Sequence, residues 1–176
     1  MDDGSYEQNV GLSQGANTAY FVNRLTPPSY PATLRNIQIY FSSQGNVLKV
    51  GDAVTIVAGA TSGGSNINGV SLARTPSRVN AAGQLNSYDV TPITIQSGDF
   101  VVGFSAVNPA NFFIMAEDIS SGSKQRSYLS NDGVSFTLAD TIQIGGNFAI
   151  RATVDLGVGG GPAGGSACLA PPQIFT

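Results

Sequence analysis

The sequence predicts an all-β fold, specifically an antiparallel β-sandwich of the jelly-roll type. Short apolar runs with period-2 alternation recur along the chain, and clusters of turn residues separate them. No segment shows the i, i+3, i+4 apolar spacing of an amphipathic helix. The composition agrees, since 41% of the residues are hydrophobic, 22 residues are glycine, and only 11% are charged. An ordinary globular domain carries about 25% charged residues, so hydroxyl and amide groups must keep this chain in solution.

The predicted strands follow one another along most of the chain. The clearest is residues 34–41, where Ile37, Ile39 and Phe41 share one face and Tyr40 lies on the other. Such alternation is typical of a strand with one buried face. Further strands are predicted for residues 19–25, 53–58, 91–95, 100–104, 112–115, 134–138 and 148–154.

Turn residues divide these strands. Pro27-Pro28 and Pro31 form a rigid corner before the strand at 34–41. Asp132-Gly133 stands between two apolar segments and predicts a tight hairpin.

The chain is predicted to contain one domain, residues 1–156, followed by a Gly/Pro-rich linker and the start of a truncated further segment, residues 157–176. The linker prediction comes from the glycine-rich composition after Gly157. Residues 171–175 have the pattern of a first strand in a following domain. We therefore expect neighbouring domains of the same polypeptide as partners.

Charge and hydropathy limit the other partners. The eight Lys and Arg residues are scattered and form no basic stripe, so we expect no nucleic-acid partner. No run of 18 apolar residues is present, so we expect no membrane span. A secreted or cell-surface location is predicted, with the signal peptide missing from this sequence.

The residue types available exclude several catalytic mechanisms. The chain has no histidine, and Cys168 is its one cysteine, which removes Ser-His-Asp triads, Cys-His pairs and thiolate clusters. A pair of carboxylates remains the one catalytic option. Most of the eleven acids lie at turn positions, where aspartate caps its own backbone. The prediction is a protein that is not an enzyme, and a hydrolase with an acid pair is an alternative.

Two acidic clusters predict a structural Ca²⁺ site. Asp2, Asp3 and Glu7 lie near the N-terminus, and Glu117-Asp118 follows an apolar segment. Calcium prefers about six to eight oxygen ligands, often from loops. We expect the ion to join the N-terminal segment to the loop at Glu117. The alternative is a solvated acidic tail.

Two tyrosines are candidates for binding a ligand. Aromatic rings on a sheet face stack against sugars, and Tyr40 lies on the outward face of its strand. Tyr88 is the second candidate. A carbohydrate-binding module would expose one of these rings on a concave sheet face.

Several short sequence segments occur in an order typical of one family. They are Asp-Asp-Gly-Ser-Tyr-Glu at 2–7, Thr-Pro-Pro-Ser-Tyr-Pro at 26–31, Ser-Gly-Asp-Phe at 97–100, Arg-Ser-Tyr-Leu-Ser at 126–130 and Gly-Asn-Phe-Ala-Ile-Arg at 146–151. Residues 2–155 thereby resemble the jelly-roll accessory domains of secreted bacterial multidomain proteins, often found beside peptidases. The resemblance implies a sandwich with an architecture like that of carbohydrate-binding modules.

The leading functional hypothesis is a non-catalytic accessory module of an exported or surface protein, with a spacer, stability or adhesion role. The alternatives are a carbohydrate-binding module, which would bind a glycan or cell-surface polymer, and the acid-pair hydrolase. Exposed apolar edge residues would also permit pairing with a neighbouring module.

Overall fold

The computed structural model describes residues 4–157 and the backbone of residues 173–175. These residues form three antiparallel sheets, none closed into a barrel, and contain no α-helix, so the predicted β-sandwich is confirmed. The strands are β1 (Gln8–Val10), β2 (Ala16–Leu25), β3 (Ala32–Phe41), β4 (Ala53–Ala60), β5 (Ala73–Arg78), β6 (Gln84–Ile95), β7 (Phe100–Asn108), β8 (Met115–Asp118), β9 (Ser127–Ser130), β10 (Thr137–Leu138), β11 (Asn147–Phe148), β12 (Ile150–Leu156) and β13 (Gln173–Phe175). A 3-10 turn, Ala139–Ile142, follows β10.

The chain passes several times between the two larger sheets. The six-stranded sheet has the order β10-β9-β2-β7-β4-β5, and the four-stranded sheet has the order β13-β12-β3-β6. The chain crosses between them at β2 to β3, through the proline corner, and again at β3 to β4, β5 to β6 and β6 to β7. The third sheet, β1-β8-β11, contains the N-terminal strand.

The main core contains residues of both larger sheets. The ring of Phe104 in β7 lies 5.7 Å from that of Phe21 in β2 and 5.2 Å from that of Phe41 in β3, so aromatic contacts join the sheets. Ile37 and Ile39 are buried beside them, as their alternation predicts. Each such side chain contributes about 1.5–3 kcal/mol on burial.

A second apolar cluster lies on the opposite face of the six-stranded sheet. Val22, Val57 and Val101 are buried there with Ile67 and Phe136. Ile67 belongs to the glycine-rich segment between β4 and β5, which therefore covers this face. This covering explains why β7 is apolar on both sides rather than alternating.

A buried polar network fixes the strands of all three sheets to one another. The amide of Asn23 in β2 donates to the carbonyls of Phe148 (2.9 Å) and Ile150 (3.1 Å). The hydroxyl of Ser127 donates to Asn23 Oδ1 (3.0 Å) and accepts from the Phe148 amide (2.9 Å). Since buried polar groups are costly without partners, these bonds specify one arrangement of the sheets.

Two predicted elements differ from the structure. The strand expected at 112–115 lies at Met115–Asp118, and Phe113 is 46% exposed because it precedes the strand in a loop. The strand expected at 134–138 is reduced to Thr137–Leu138. The hairpin is present, since Leu129 pairs with Thr137, but its loop is longer than the tight turn expected.

The end of the chain contributes one more strand. β13 pairs antiparallel with β12, with Phe175 opposite Ala152. Residues 158–172, most of the predicted linker, lie outside the described residues. Whether residues 173–175 open a further domain stays a prediction.

No helix in the part of the chain that the structure describes is long and apolar enough to cross a membrane.

Candidate functional site

The predicted acidic residues come together where the N-terminal strand meets β8. β1 pairs with β8, so that Gln8 lies opposite Glu117. The amide of Glu7 donates to the Glu117 carbonyl (3.2 Å), and Glu7 Oε2 accepts from the amide of Ile119 (3.1 Å). The structure therefore brings Glu7 beside Glu117-Asp118, three of the residues at which a calcium ion is expected. Asp2 and Asp3 lie outside the described residues.

Glu117 is the most unusual acid in this region because its side chain is fully buried. Its Oε1 accepts from the Gly146 amide (2.8 Å), whereas its Oε2 has no hydrogen-bond partner among the described residues. Burial raises the pKa of Glu117 above its ordinary value, and the Gly146 amide opposes that rise. The negative charges of Asp140 and Asp118 raise the pKa further.

The carboxylate of Asp118 stabilises the turn that follows β8. Its Oδ1 accepts from the amides of Ser120 (2.9 Å) and Ser121 (3.1 Å), and the Ser121 hydroxyl donates to Oδ2. An aspartate that accepts from amides two and three residues ahead closes an Asx-type turn. This turn directs the chain from β8 towards Lys124, whose amide donates to Asn147 Oδ1 in β11 (2.9 Å).

Asp140 is a site residue that the sequence analysis missed. It lies in the 3-10 turn, and its Oδ2 is buried with no hydrogen-bond partner in the part of the chain that the structure describes. The local sequence around Asp140 has the pattern of an ordinary solvent-exposed turn. Asp140 is distant from Glu117 in the sequence, so only the tertiary fold allows its negative charge to raise the pKa of Glu117.

Glycine at position 146 permits this close packing. A Cβ atom there would lie 2.4 Å from Glu117 Cγ and 2.6 Å from the Asp118 carbonyl oxygen. Both distances are far below an ordinary van der Waals contact, so the backbone approaches Glu117 only because residue 146 has no side chain.

Within residues 4–157, no group of three or more acidic, histidine or cysteine side chains is arranged to hold a metal ion. Glu7 and Asp118 use their carboxylates on backbone amides, and Asp2 and Asp3 are not described. The predicted five-residue calcium site therefore stays a prediction.

Tyr40 lies on the outward face of the four-stranded sheet, as predicted, and is half-buried. The ring of Tyr6 lies against it, with centroids 4.3 Å apart and planes tilted by 36°. The Arg151 guanidinium donates to the Tyr6 hydroxyl (3.3 Å). A polar cleft of about 80 Å³ borders the ring pair, lined by Tyr6, Glu7, Gln8, Asn9, Tyr40, Ser42, Ser43 and Gln44.

The expected exposure of Tyr88 is wrong. Its side chain is only 7% exposed and packs in the main core, because it lies opposite Ile37 on the inward face of β6. Its hydroxyl donates to the Arg78 carbonyl (2.9 Å). Burial raises the pKa of Tyr88 to about 12.

The glycine-rich segment forms a second cleft, of about 350 Å³, on the surface. Its lining comes entirely from residues 60–71, including Asn66 and Asn68. Asn68 Oδ1 accepts from the Phe136 amide (2.7 Å), and Asn66 Oδ1 accepts from the Asn68 amide (3.0 Å). These amide groups hold the segment over the second apolar cluster.

The other acids of the larger sheets stabilise loops and corners. Asp99 Oδ1 accepts from the Thr26 hydroxyl (2.6 Å), and its Oδ2 lies 3.6 Å from Arg24 Nε. Asp132 Oδ1 accepts from the amides of Val134 (2.7 Å) and Ser135 (2.8 Å). These bonds, together with that from the Ser130 side chain, lower the pKa of Asp132 to about 2.

The described residues therefore form an all-β sandwich that contains the buried carboxyl group of Glu117 and a polar cleft beside the Tyr6–Tyr40 ring pair. No protein-family model, curated protein or solved structure matches the chain.

Proposed function

We propose that this chain is a non-catalytic accessory module of an exported multidomain protein, with a spacer or stabilising role. The main observation behind the proposal is that most of the acidic side chains described above hold strand ends and turns in place. Glu7, Asp99, Asp118 and Asp132 each accept hydrogen bonds that hold a strand end or a turn.

The arrangement of the terminal segments supports a spacer role. β1 is paired with β8, and β12 is paired with β3 along its whole length. The amide of Gly157 also donates to the Pro31 carbonyl (2.8 Å). A module that keeps its neighbours apart must hold both terminal segments firmly, because a frayed strand would act as a flexible linker.

The acid-pair hydrolase is the rival that an assay separates most clearly. Its two carboxylates would have to reach substrate in a cleft, whereas Glu117 is enclosed. We expect the purified chain to release neither reducing ends from a panel of polysaccharides nor peptides from casein. Hydrolysis that copurifies with the chain and disappears in Glu117→Gln would overturn the proposal. Asp155→Asn, which alters an exposed acid, is the matched control.

Carbohydrate binding is a second candidate, supported by the Tyr6–Tyr40 ring pair beside amide, hydroxyl and carboxylate side chains. A glycan array would detect it, and Tyr40→Ala and Tyr6→Ala would each abolish the signal. Tyr30→Ala removes an exposed tyrosine outside this cleft and leaves the signal intact. Equal binding by all three variants would refute the assignment of this cleft.

A further inference from the structure

A reactive residue pair lies in the glycine-rich segment that covers the second apolar cluster. Asn68-Gly69 is the one place in the sequence where glycine follows asparagine, and both residues are exposed. The main-chain nitrogen of a residue that follows asparagine can attack the carboxamide carbon, which expels ammonia and closes a succinimide ring. Water then opens the ring to aspartate or isoaspartate. Glycine favours the attack because it has no side chain to obstruct it.

The backbone of the segment requires this glycine. The Ile67 carbonyl accepts from the Val70 amide (3.3 Å), which closes a β-turn with Asn68 and Gly69 at its centre. Gly69 has a φ of +74°, a conformation that residues with a side chain rarely adopt. The turn that holds the segment in place therefore also creates the reactive pair.

Two hydrogen bonds to the loop between β9 and β10 hold both groups that would react. The Gly69 amide donates to the Val134 carbonyl (2.9 Å), and Asn68 Oδ1 accepts from the Phe136 amide (2.7 Å). The attacking nitrogen must lose its proton, which the first bond retains. The carboxamide must turn towards that nitrogen, which the second bond opposes. Both contacts therefore slow the reaction in the folded chain.

We propose that Asn68 is a deamidation site, and that its contacts with the β9–β10 loop keep it unreactive while the segment covers the sheet. Local opening of the segment breaks both bonds and starts the reaction. Aspartate at position 68 still has an oxygen that accepts from Phe136. Isoaspartate routes the main chain through the side chain and displaces the Gly69 amide from Val134, so its formation weakens the cover of the second apolar cluster.

Asp132 positions the loop for these contacts. Its Oδ1 accepts from the amides of Val134 (2.7 Å) and Ser135 (2.8 Å). This turn presents the Val134 carbonyl and the Phe136 amide to the segment. Asp132→Ala should therefore weaken both contacts and leave residues 68 and 69 unchanged.

Asp52→Ala is the matched control. Asp52 is also an exposed aspartate that holds a turn, because its Oδ2 accepts from the Lys49 amide (2.8 Å). That turn lies between β3 and β4, so its loss leaves the contacts of Asn68 in place.

Peptide mapping by mass spectrometry tests the proposal on the purified chain, incubated in mildly alkaline buffer with and without guanidinium chloride. Trypsin releases residues 50–74, which contain Asn68 together with Asn66 as an internal reference. We expect Asn68 to deamidate before Asn66 in denaturant, and at least about tenfold more slowly in the folded chain. Folded Asp132→Ala should react faster than the unaltered chain, and Asp52→Ala should react at the same rate as the unaltered chain.

The comparison with and without denaturant needs no variant, so it stays decisive if circular dichroism shows that Asp132→Ala does not fold. Equal rates in both conditions would overturn the proposed protection. Conversion of Asn66 ahead of Asn68 in denaturant would overturn the assignment of the site. Equal rates for folded Asp132→Ala and the unaltered chain would show that the β9–β10 loop does not protect Asn68.

Discussion

Replacing Asn23 by leucine should be among the most damaging single substitutions in this protein. Asn23 donates to the carbonyls of Phe148 and Ile150 and accepts from Ser127. It is 6% exposed, so water cannot take over these bonds. Leucine has a similar size, and the change therefore removes the hydrogen bonds without a large cavity.

The expected loss of stability follows from the two buried carbonyls that lose their hydrogen-bond donor. Each carbonyl that stays buried without its donor costs about 1–3 kcal/mol, so the two carbonyls together cost about 2–6 kcal/mol. Stability of a domain is about 5–15 kcal/mol, and the variant would lose a large part of it. Ser127→Ala leaves the Phe148 amide without its acceptor and should cost about 1–3 kcal/mol.

Urea denaturation with linear extrapolation measures these differences. Because Asn23 and Ser127 share one network, the double variant should lose less than the two single losses added together, with a coupling of about 0.5–3 kcal/mol. Asn131→Leu, at an exposed loop position, is the control and should change the free energy of unfolding by less than about 0.5 kcal/mol. A loss in Asn23→Leu no larger than in this control would refute the role given to the network.

Three further predictions concern single sites. Gly146→Ala places a Cβ 2.4 Å from Glu117 Cγ, so it should lower the free energy of unfolding by about 1–3 kcal/mol in urea titrations; an unchanged value would contradict the close packing. The pKa of Asp132 is lowered from 3.8 to about 2, so its stabilisation is present above pH 3.8 and disappears as pH falls through about 2. Melts of the chain and of Asp132→Asn should therefore differ at pH 5 and converge towards pH 2; a constant difference would be inconsistent with this. The pKa of Tyr88 is raised from 10.0 to about 12, so its stabilisation is complete below pH 10.0 and is lost as pH rises through about 12. In an absorbance titration, Tyr88→Phe should remove a tyrosine ionisation near pH 12, and an unchanged titration curve in that range would contradict the burial of Tyr88.

Local patterns in the sequence predict the strands with one buried face. The alternation of residues 34–41 places Ile37, Ile39 and Phe41 in the core, and all three are buried. The same holds for Ile150 and Val154 near the end of the domain. Period-2 alternation is sufficient in these cases because one face of each strand meets the core and the other faces solvent or polar groups.

Features that depend on distant segments could not be predicted. Tyr88 is inward because of its register with β3, and the register is set by the whole sheet. The second face of β7 is buried because the glycine-rich segment folds over it.

The same limit applies to the acidic region. The structure places Glu7 beside Glu117-Asp118, and the calcium ion expected at these residues stays a prediction. Asp140 was missed because its electrostatic effect on Glu117 depends on the tertiary fold, which no spacing in the sequence encodes.

The most direct measurement is a crystal structure of the chain, which tests whether one buried polar network joins the three sheets. We expect the Asn23 amide to donate to the carbonyls of Phe148 and Ile150, and the Ser127 hydroxyl to donate to Asn23 Oδ1. An Asn23 side chain that faces solvent, or that bonds to neither carbonyl, would contradict this arrangement of the sheets.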